Sequence, residues 1–300
     1  MSATTPLIFD RRLLRLRRDR AATRVAQVAP VLEAAAERLL DRLDDITHRF
    51  HRALDIGGRG VVAPMLRARG IGFVASMDLS PRMAALAGGR AVCGDEEWLP
   101  FAAGSFDLVV ANLSLHWVND LPGALIQLRR ALRPDGLFLA SLPGLGTLQP
   151  LREALAAAEA EARGGISPRV SPFPELRDLA GLLQRAGFAL PVADAEDLPL
   201  AYATPLGLVR DLRAAGETNA VLARDPRTPP RAMLPQALAA LSPAGAPIPM
   251  PLRLLVMTGW APHESQSKPA RPGSANARLA DALGAEERSA GEAAGPPRQH

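Results

Sequence analysis

The stretch "ALDIGGRG", residues 53–60, decides the fold. Its first four residues, apolar except for Asp55, are typical of a buried strand, and a glycine-rich turn follows directly. Glycines let a backbone approach a ligand closely, so this pattern is typical of the start of a nucleotide-binding α/β domain. Gly57 and Gly58 are adjacent, which departs from the G-x-G-x-x-G spacing of dinucleotide-binding domains. The stretch therefore predicts an α/β fold with a nucleoside-type ligand at this turn.

Further strands and helices alternate after this turn. Pattern reading predicts helices between the strands, which implies a mostly parallel sheet with right-handed crossovers and helices on both faces. The late apolar run "RLLVMTGW", residues 253–260, predicts one more strand that returns to the edge of the same sheet. The other predicted strands lie at 52–56, 72–78, 90–95, 105–114 and 137–142.

The chain divides into three predicted parts. Residues 1–49 carry apolar positions at helical spacing and predict an N-terminal helical extension. Residues 50–264 hold the α/β catalytic domain, with helices around 147–187 that form a lid over the substrate. Arg169, in an irregular stretch of this lid, could hold a carboxylate-bearing partner. From residue 265 to 300, proline, glycine, alanine and charge without an apolar period predict a disordered tail.

Composition excludes several classes of protein. The pI of about 10.3 suggests nucleic-acid binding, but the net charge is only +4, and Lys268 is the single lysine among 35 basic residues. Such an arginine bias points to genome composition, so we predict no nucleic-acid partner. One cysteine, Cys93, excludes an internal disulfide framework and fits a reducing compartment. No apolar run approaches the roughly 20 residues of a membrane helix, and the Arg-rich start lacks a signal-peptide apolar region. We predict a cytoplasmic protein with at most peripheral membrane contact.

Polar residues follow several predicted strands at the position where ligands bind in open α/β sheets. Asp78 ends the second strand, Asp95 the third, and Asn112 and Leu113 the fourth. An acid after the second strand can accept both hydroxyls of a ribose, and Asp95 could accept from an adenine amine. A single strand-ending acid is often only a turn residue or a helix cap, but the joint occurrence in this order favours a nucleoside site.

This arrangement, with "DLVVANLSLHW" and "LRPDGLFLAS", resembles the class I S-adenosylmethionine-dependent methyltransferase family. The resemblance implies a Rossmann-like seven-stranded fold and S-adenosyl-L-methionine as cofactor. It places the methionine moiety at the glycine turn, the ribose at Asp78 and the adenine at Asp95. The cofactor-binding residues that it implies are Asp55, Gly57, Gly58, Gly60, Asp78, Leu79, Asp95, Glu96, Asn112 and Leu113.

A closer resemblance covers roughly residues 9–275. The stretches "FDRRLLRLRRDRAA", "SFDLVVANLSLHWVNDLPGAL", "DLRAAGETNA" and "GWAPHESQSKPARPGSA" are similar to the mitochondrial complex I assembly factor family and its alphaproteobacterial relatives. The resemblance implies a protein substrate, a subunit of respiratory complex I, and either methyl transfer or arginine hydroxylation. Malonyl-carrier-protein O-methylation in biotin synthesis, and an assembly factor without catalysis, remain as alternatives.

Candidate catalytic residues are few. His116 and Trp117 follow the fourth strand beside the expected acceptor pocket, where they could position the acceptor or remove its proton; a helix-start histidine and a core tryptophan are the structural alternative. The five histidines form no H-x-D/E pair, so we predict no metal site. Arg59 could pair with the methionine carboxylate or face solvent, and Trp98 could cover the adenine or pack in the core.

Overall fold

A seven-stranded sheet forms the centre of the molecule, in the strand order 3-2-1-4-5-9-6. The computed structural model describes residues 7–242, 246–266 and 283–285. The strands are β1 (Arg52–Ile56), β2 (Phe73–Asp78), β3 (Arg90–Cys93), β4 (Phe106–Asn112), β5 (Leu132–Pro143), β6 (Ala189–Leu198) and β9 (Leu252–Trp260), with β7 (Ala201–Tyr202) and β8 (Ile248–Pro249) as a separate pair.

The first five strands are parallel, and β9 runs antiparallel between β5 and β6. This confirms the predicted mostly parallel seven-stranded sheet. The prediction that the late strand returns to the sheet edge is wrong, because β6 takes the edge beyond it. The sequence reading missed β6 because Asp194, Glu196 and Asp197 interrupt its apolar pattern, and an edge strand with one partner tolerates such residues.

Helices cover both faces of the sheet. On one face, α2 and α3 pack on alternate strand residues such as Leu108 and Val110; on the other, α5 and α7 pack on Val109 and Ala111. The α-helices are α1 (Arg11–Ala21), α2 (Ala29–Leu40), α3 (Val62–Ala68), α4 (Pro81–Leu86), α5 (Leu121–Ala131), α6 (Gln149–Arg163), α7 (Leu176–Arg185), α8 (Pro205–Ala214) and α9 (Met233–Leu241).

Local chemistry sets where several helices begin. The Ser80 hydroxyl accepts a hydrogen bond from the Met83 backbone N–H, and Pro81 follows it, as expected for an N-cap with proline in the first turn. Asp10 caps α1 in the same way by accepting from the Leu13 N–H. The cap on Asp10 fixes where α1 starts, and this helix lies beside the functional site described below.

The N-terminal part is less continuous than a single helical extension. Short 3₁₀ turns at Val25–Val28 and Asp41–Leu43 flank α2, and residues 44–51 are not helical. The division at residues 49 and 264 remains a prediction. Most of the predicted tail, residues 265–300, lies outside the described residues. No helix in the described ranges is long and apolar enough to cross a membrane.

Candidate functional site

The glycine turn after β1 is held tightly against the protein. Gly57 and Gly60 adopt φ of +65° and +83°, a region that favours glycine. A Cβ on Gly58 would lie 1.8 Å from an Asp55 carboxylate oxygen, and one on Gly57 would lie 2.5 Å from the Ser114 Cβ. The turn therefore closes over the Asp55 side chain, and only glycine allows this approach at residue 58.

Asp55 lies fully buried beneath this turn. Its Oδ2 accepts a hydrogen bond from the Ser76 hydroxyl at 3.0 Å. Burial raises the pKa of Asp55 to about 7, because the charged form is poorly solvated there. The Asp55 side chain lies directly against the glycine turn at Gly58.

Asp78, the predicted ribose acid, lies at the end of β2 and is buried. Its Oδ1 accepts from the Ser80 N–H at 2.7 Å, and its Oδ2 accepts from Arg18 Nη1 at 3.1 Å. Arg18 comes from α1, is fully buried and also lies 3.5 Å from the Glu96 carboxylate. Burial would lower the pKa of Arg18, but the carboxylates of Asp78 and Glu96 outweigh it and raise that pKa. The Arg18 guanidinium therefore makes the contact with Asp78 that was predicted for the ribose.

The predicted adenine residues are paired in the same way. Arg11, at the start of α1, lies 2.5 Å from Asp95 and in direct contact with Glu96. Arg11 also donates to the Trp117 carbonyl at 3.1 Å. Two arginines of one helix thus neutralise the carboxylates of the adenosine edge, defined here as Asp78, Asp95 and Glu96.

The remaining predicted cofactor residues lie nearby but have other contacts. Asn112 donates to the Leu32 carbonyl at 3.0 Å and accepts from the Ser141 hydroxyl at 2.8 Å, so its amide joins α2 to the sheet. Leu113 adopts φ of +50°, and Leu79 packs in a small apolar cluster with Trp117. These three residues lie at the carboxyl ends of the strands, as predicted, and their cofactor contacts remain predictions.

A second polar cluster forms around Glu217, which follows α8. One Glu217 oxygen lies 2.8 Å from His116 Nε2 and accepts from Trp117 Nε1 at 2.6 Å; the other accepts from Arg59 Nη2 at 2.6 Å. Burial raises the pKa of Glu217, but His116 and Arg59 outweigh it and hold that pKa well below its usual range. Glu217 is therefore ionised, and its carboxylate joins His116, Trp117 and Arg59.

The Glu217 carboxylate also determines which ring nitrogen of His116 carries the proton. Burial lowers the pKa of His116, although Glu217 opposes the shift, so the imidazole is neutral. Its Nε2–H then donates to Glu217, which leaves Nδ1 as the acceptor nitrogen. Within the described part of the chain, this buried Nδ1 has no hydrogen-bond partner.

A cavity of about 260 Å³ lies against this cluster. His116, Trp117, Arg59 and Glu217 form one end of it, and the remaining wall is mainly apolar. Apolar wall residues come from α2, α6, α8 and the connecting segments, among them Val31, Leu32, Leu151, Val170, Leu208 and Met250.

The structure shows the surroundings of three further residues for which expectations follow from the sequence. Arg59 does not face solvent; it is buried and donates to Glu217 and to the Leu113 carbonyl. Arg169 lines the cavity, but it pairs with Glu159. Trp98, which was expected to cover the adenine or pack in the core, is 78% exposed. The sequence did not predict the roles of Glu217 and Arg18, because a single charged residue carries no local signal of its partner.

No group of three or more His, Cys, Asp or Glu side chains in the described part of the chain is placed to hold a metal ion.

The sheet order and the polar residues after β1, β2 and β4 define the fold of a class I methyltransferase. A family model described as "Methyltransferase domain" matches residues 54–140. The YcgJ protein of Bacillus subtilis shares the fold, with a TM-score of 0.52 and 18% identity over 75% of this chain and 98% of that one.

Curated relatives extend the match over nearly the whole chain. The mitochondrial arginine-hydroxylase NDUFAF5 of Homo sapiens is 38% identical, over 91% of this chain and 83% of that protein. The same protein of Danio rerio is 36% identical, over 91% and 89%. The malonyl-[acyl-carrier protein] O-methyltransferase of Halorhodospira halophila is 36% identical, over 77% and 78%. The chain belongs to the class I S-adenosylmethionine-dependent methyltransferase family and is related within it to NDUFAF5.

The cofactor of this family is S-adenosyl-L-methionine, and the residues predicted to bind it lie at the carboxyl ends of β1, β2, β3 and β4. In this structure Asp78 does not fit a ribose, because its carboxylate is buried and the Arg18 guanidinium lies against it. The adjacent cavity, in contrast, is open.

Proposed function

We propose that this chain is an enzyme that modifies an arginine side chain of a respiratory complex I subunit during assembly of the complex. The observation that carries the proposal is the apolar cavity that ends on the Glu217 carboxylate. An arginine side chain has an apolar stem and a cationic planar head, and carboxylates are its usual partners. The names of the NDUFAF5 relatives support the choice of arginine.

The charges around the cavity favour a cation over a carboxylate. Each arginine in the wall, Arg59 and Arg169, already has a carboxylate partner, Glu217 and Glu159. Asp211 lies in the wall as well, beside Tyr202; burial first, and then this carboxylate, raises the pKa of Tyr202 to about 12. The wall therefore offers a guanidinium more attraction than it offers a malonyl carboxylate.

The residues of the chain can perform three tasks on such a guest. The apolar wall binds the stem and excludes water, which strengthens polar contacts inside the cavity. Glu217 orients the cationic head and holds the His116 ring through Nε2. His116 Nδ1 is the position where a proton can be accepted, because it is a neutral nitrogen without a partner among the described residues.

The proposal is tested by mass spectrometry of complex I subunits. A strain without the gene is complemented with the wild-type chain, with Glu217→Gln, or with Arg15→Gln, which changes an exposed arginine of α1. We expect one arginine-containing peptide to gain the mass of a methylene group or of an oxygen atom with wild type and Arg15→Gln, and not with Glu217→Gln. Subunits of unchanged mass in all strains would contradict the proposal.

Two alternative functions are each supported by a separate observation. The relationship to the malonyl-[acyl-carrier protein] O-methyltransferase favours carrier-protein methylation; a biotin requirement of the deletion strain would support it. The arginines on the adenosine edge favour an assembly factor without catalysis; normal complex I assembly with Glu217→Gln would support that reading. The cytoplasmic location of this chain remains a prediction, since "mitochondrial" is said of the relatives.

A further inference from the structure

Arg18 is the buried cation that contacts the predicted ribose acid, Asp78. It projects from α1, has no exposed surface, and places Nη1 between the Asp78 and Glu96 carboxylates at 3.1 and 3.5 Å. The same nitrogen lies 3.6 Å from the Cβ position of Gly57. The guanidinium therefore fills the space between the glycine turn and the ribose acid.

A ribose cannot reach its acid while Arg18 is there. Asp78 is 1% exposed, and its two oxygens accept from Ser80 and Arg18. The Ser80 contact belongs to the backbone after β2 and is part of the fold. The Arg18 contact comes from a separate helix and can be withdrawn without breaking the sheet.

We propose that Arg18 is an internal ligand of the cofactor site, which the adenosyl group must displace before it can bind. Arg11 is the second anchor, because it joins the same helix to Asp95 and Glu96. The residues predicted to bind the cofactor are all present, but in the populated conformation Arg18 excludes the cofactor. The affinity for the cofactor is then set by how readily α1 releases its two arginines.

The incomplete hydrogen bonding of Arg18 makes release feasible. Its Nε and Nη2 atoms are buried and have no hydrogen-bond partner among the described residues. A buried donor without a partner costs free energy, so the closed form is not a deep minimum. Withdrawal of Arg18 would let these two nitrogens reach water or an acceptor on the ligand.

Competition of this kind has a measurable signature. When only a fraction of molecules can bind, the apparent affinity falls by that fraction. Removing the competing cation should therefore tighten the binding of any ligand that uses Asp78, even one without a carboxylate. Adenosine is such a ligand, and S-adenosylhomocysteine adds the amino acid part.

The test is calorimetric titration of the full chain with both ligands. Arg18→Gln removes the cation, and Arg15→Gln is the matched control on the exposed face of α1. We expect Arg18→Gln to bind both ligands roughly ten- to a hundredfold more tightly than wild type, and Arg15→Gln to match wild type. Equal or weaker binding by Arg18→Gln would overturn the proposal.

A second measurement on the wild type covers the case in which Arg18→Gln does not fold. Hydrogen exchange of the α1 amides, residues 11–21, is compared with and without saturating S-adenosylhomocysteine. Displacement predicts faster exchange in α1 on binding, and slower exchange would contradict it.

This inference concerns the cofactor site of the proposed enzyme, and the two can fail separately. Equal binding by wild type and Arg18→Gln overturns displacement and leaves the modification of complex I standing. Modified subunits missing from the mass spectra overturn the proposed reaction and leave displacement standing. Failure of both proteins to bind either ligand overturns displacement, because Arg18 would not be what excludes the cofactor.

Discussion

The adenosine edge and the apolar cavity both lie at the carboxyl ends of the parallel strands, yet they differ in how their charges are satisfied. At the adenosine edge, Arg11 and Arg18 fill the space in front of the carboxylates. At the cavity, Arg59 pairs with Glu217 at one end and leaves an open apolar volume beside the pair. The carboxylates of the adenosine edge belong to the family motif. Whether they can contact a ligand depends on arginines that are distant in the sequence.

Two buried carboxylates near these regions have pKa values that shift in opposite directions. Burial, with a contribution from the nearby Asp78 carboxylate, raises the pKa of Asp55 to about 7. Glu217 meets His116 and Arg59, so its pKa falls. Burial alone therefore does not set the pKa of these two acids, since the groups that contact Glu217 outweigh it.

The largest effect is expected from Glu217→Ala. The change leaves the buried Arg59 without its carboxylate and removes the partner of His116 and Trp117. Breaking a buried pair by removing one partner costs about 3–5 kcal/mol, so we expect a loss of this order in urea unfolding. Glu33→Ala, at an exposed position of α2, should change stability by less than about 0.5 kcal/mol. Equal effects of the two changes would show that the cluster does not hold the cavity.

The next effect is expected from Gly58→Ala. The new Cβ would lie 1.8 Å from the Asp55 carboxylate, so the turn must shift. Overpacking of this kind costs about 1–3 kcal/mol, and the shift should also weaken ligand binding at the adenosine edge. Gly72→Ala is the control, because nothing lies within 4 Å of that Cβ position. A variant as stable as wild type would contradict the closed turn.

A smaller effect, in the pH dependence, separates the two acids. A folded pKa of about 7 against the ordinary 3.8 means that Asp55 contributes stability below about pH 3.8, which is lost as the pH rises to about 7. The unfolding free energy of wild type, relative to Asp55→Asn, should therefore fall across this window. Glu217 has the opposite sign, since its contribution is present above its ordinary 4.5 and is lost on acidification. A difference between wild type and Asp55→Asn that stays flat from pH 4 to 7 would contradict the assignment.

How far the sequence predicts this site depends on whether a residue acts within its own segment. The strand-ending acids, the glycine turn and the Ser80 cap follow from local patterns, and the structure places them as expected. Arg18 and Glu217 act on partners 60 and 101 residues away, on Asp78 and His116. Their contacts depend on how helices pack on the sheet, which periodicity does not encode. The position of β9 between β5 and β6 was missed for the same reason.

The smallest effect is expected from Trp98→Ser. This side chain is 78% exposed, so its removal should change stability by less than about 0.5 kcal/mol and leave adenosine binding unchanged. The measurement is a titration with adenosine in the Arg18→Gln background, where the site is open. Binding that weakens tenfold or more would show that Trp98 folds over the adenine when a ligand is present, and the adenosine edge would then include it.

The central claim is that the adenosine edge is a working cofactor site held closed by α1. It is tested most directly by titrating the full chain with S-adenosyl-L-methionine, beside Asp78→Asn and the control Asp178→Asn on the exposed face of α7. We expect binding by wild type and by Asp178→Asn, and none by Asp78→Asn at the same concentrations. Binding that survives Asp78→Asn unchanged, or no binding by wild type and Arg18→Gln alike, would contradict it.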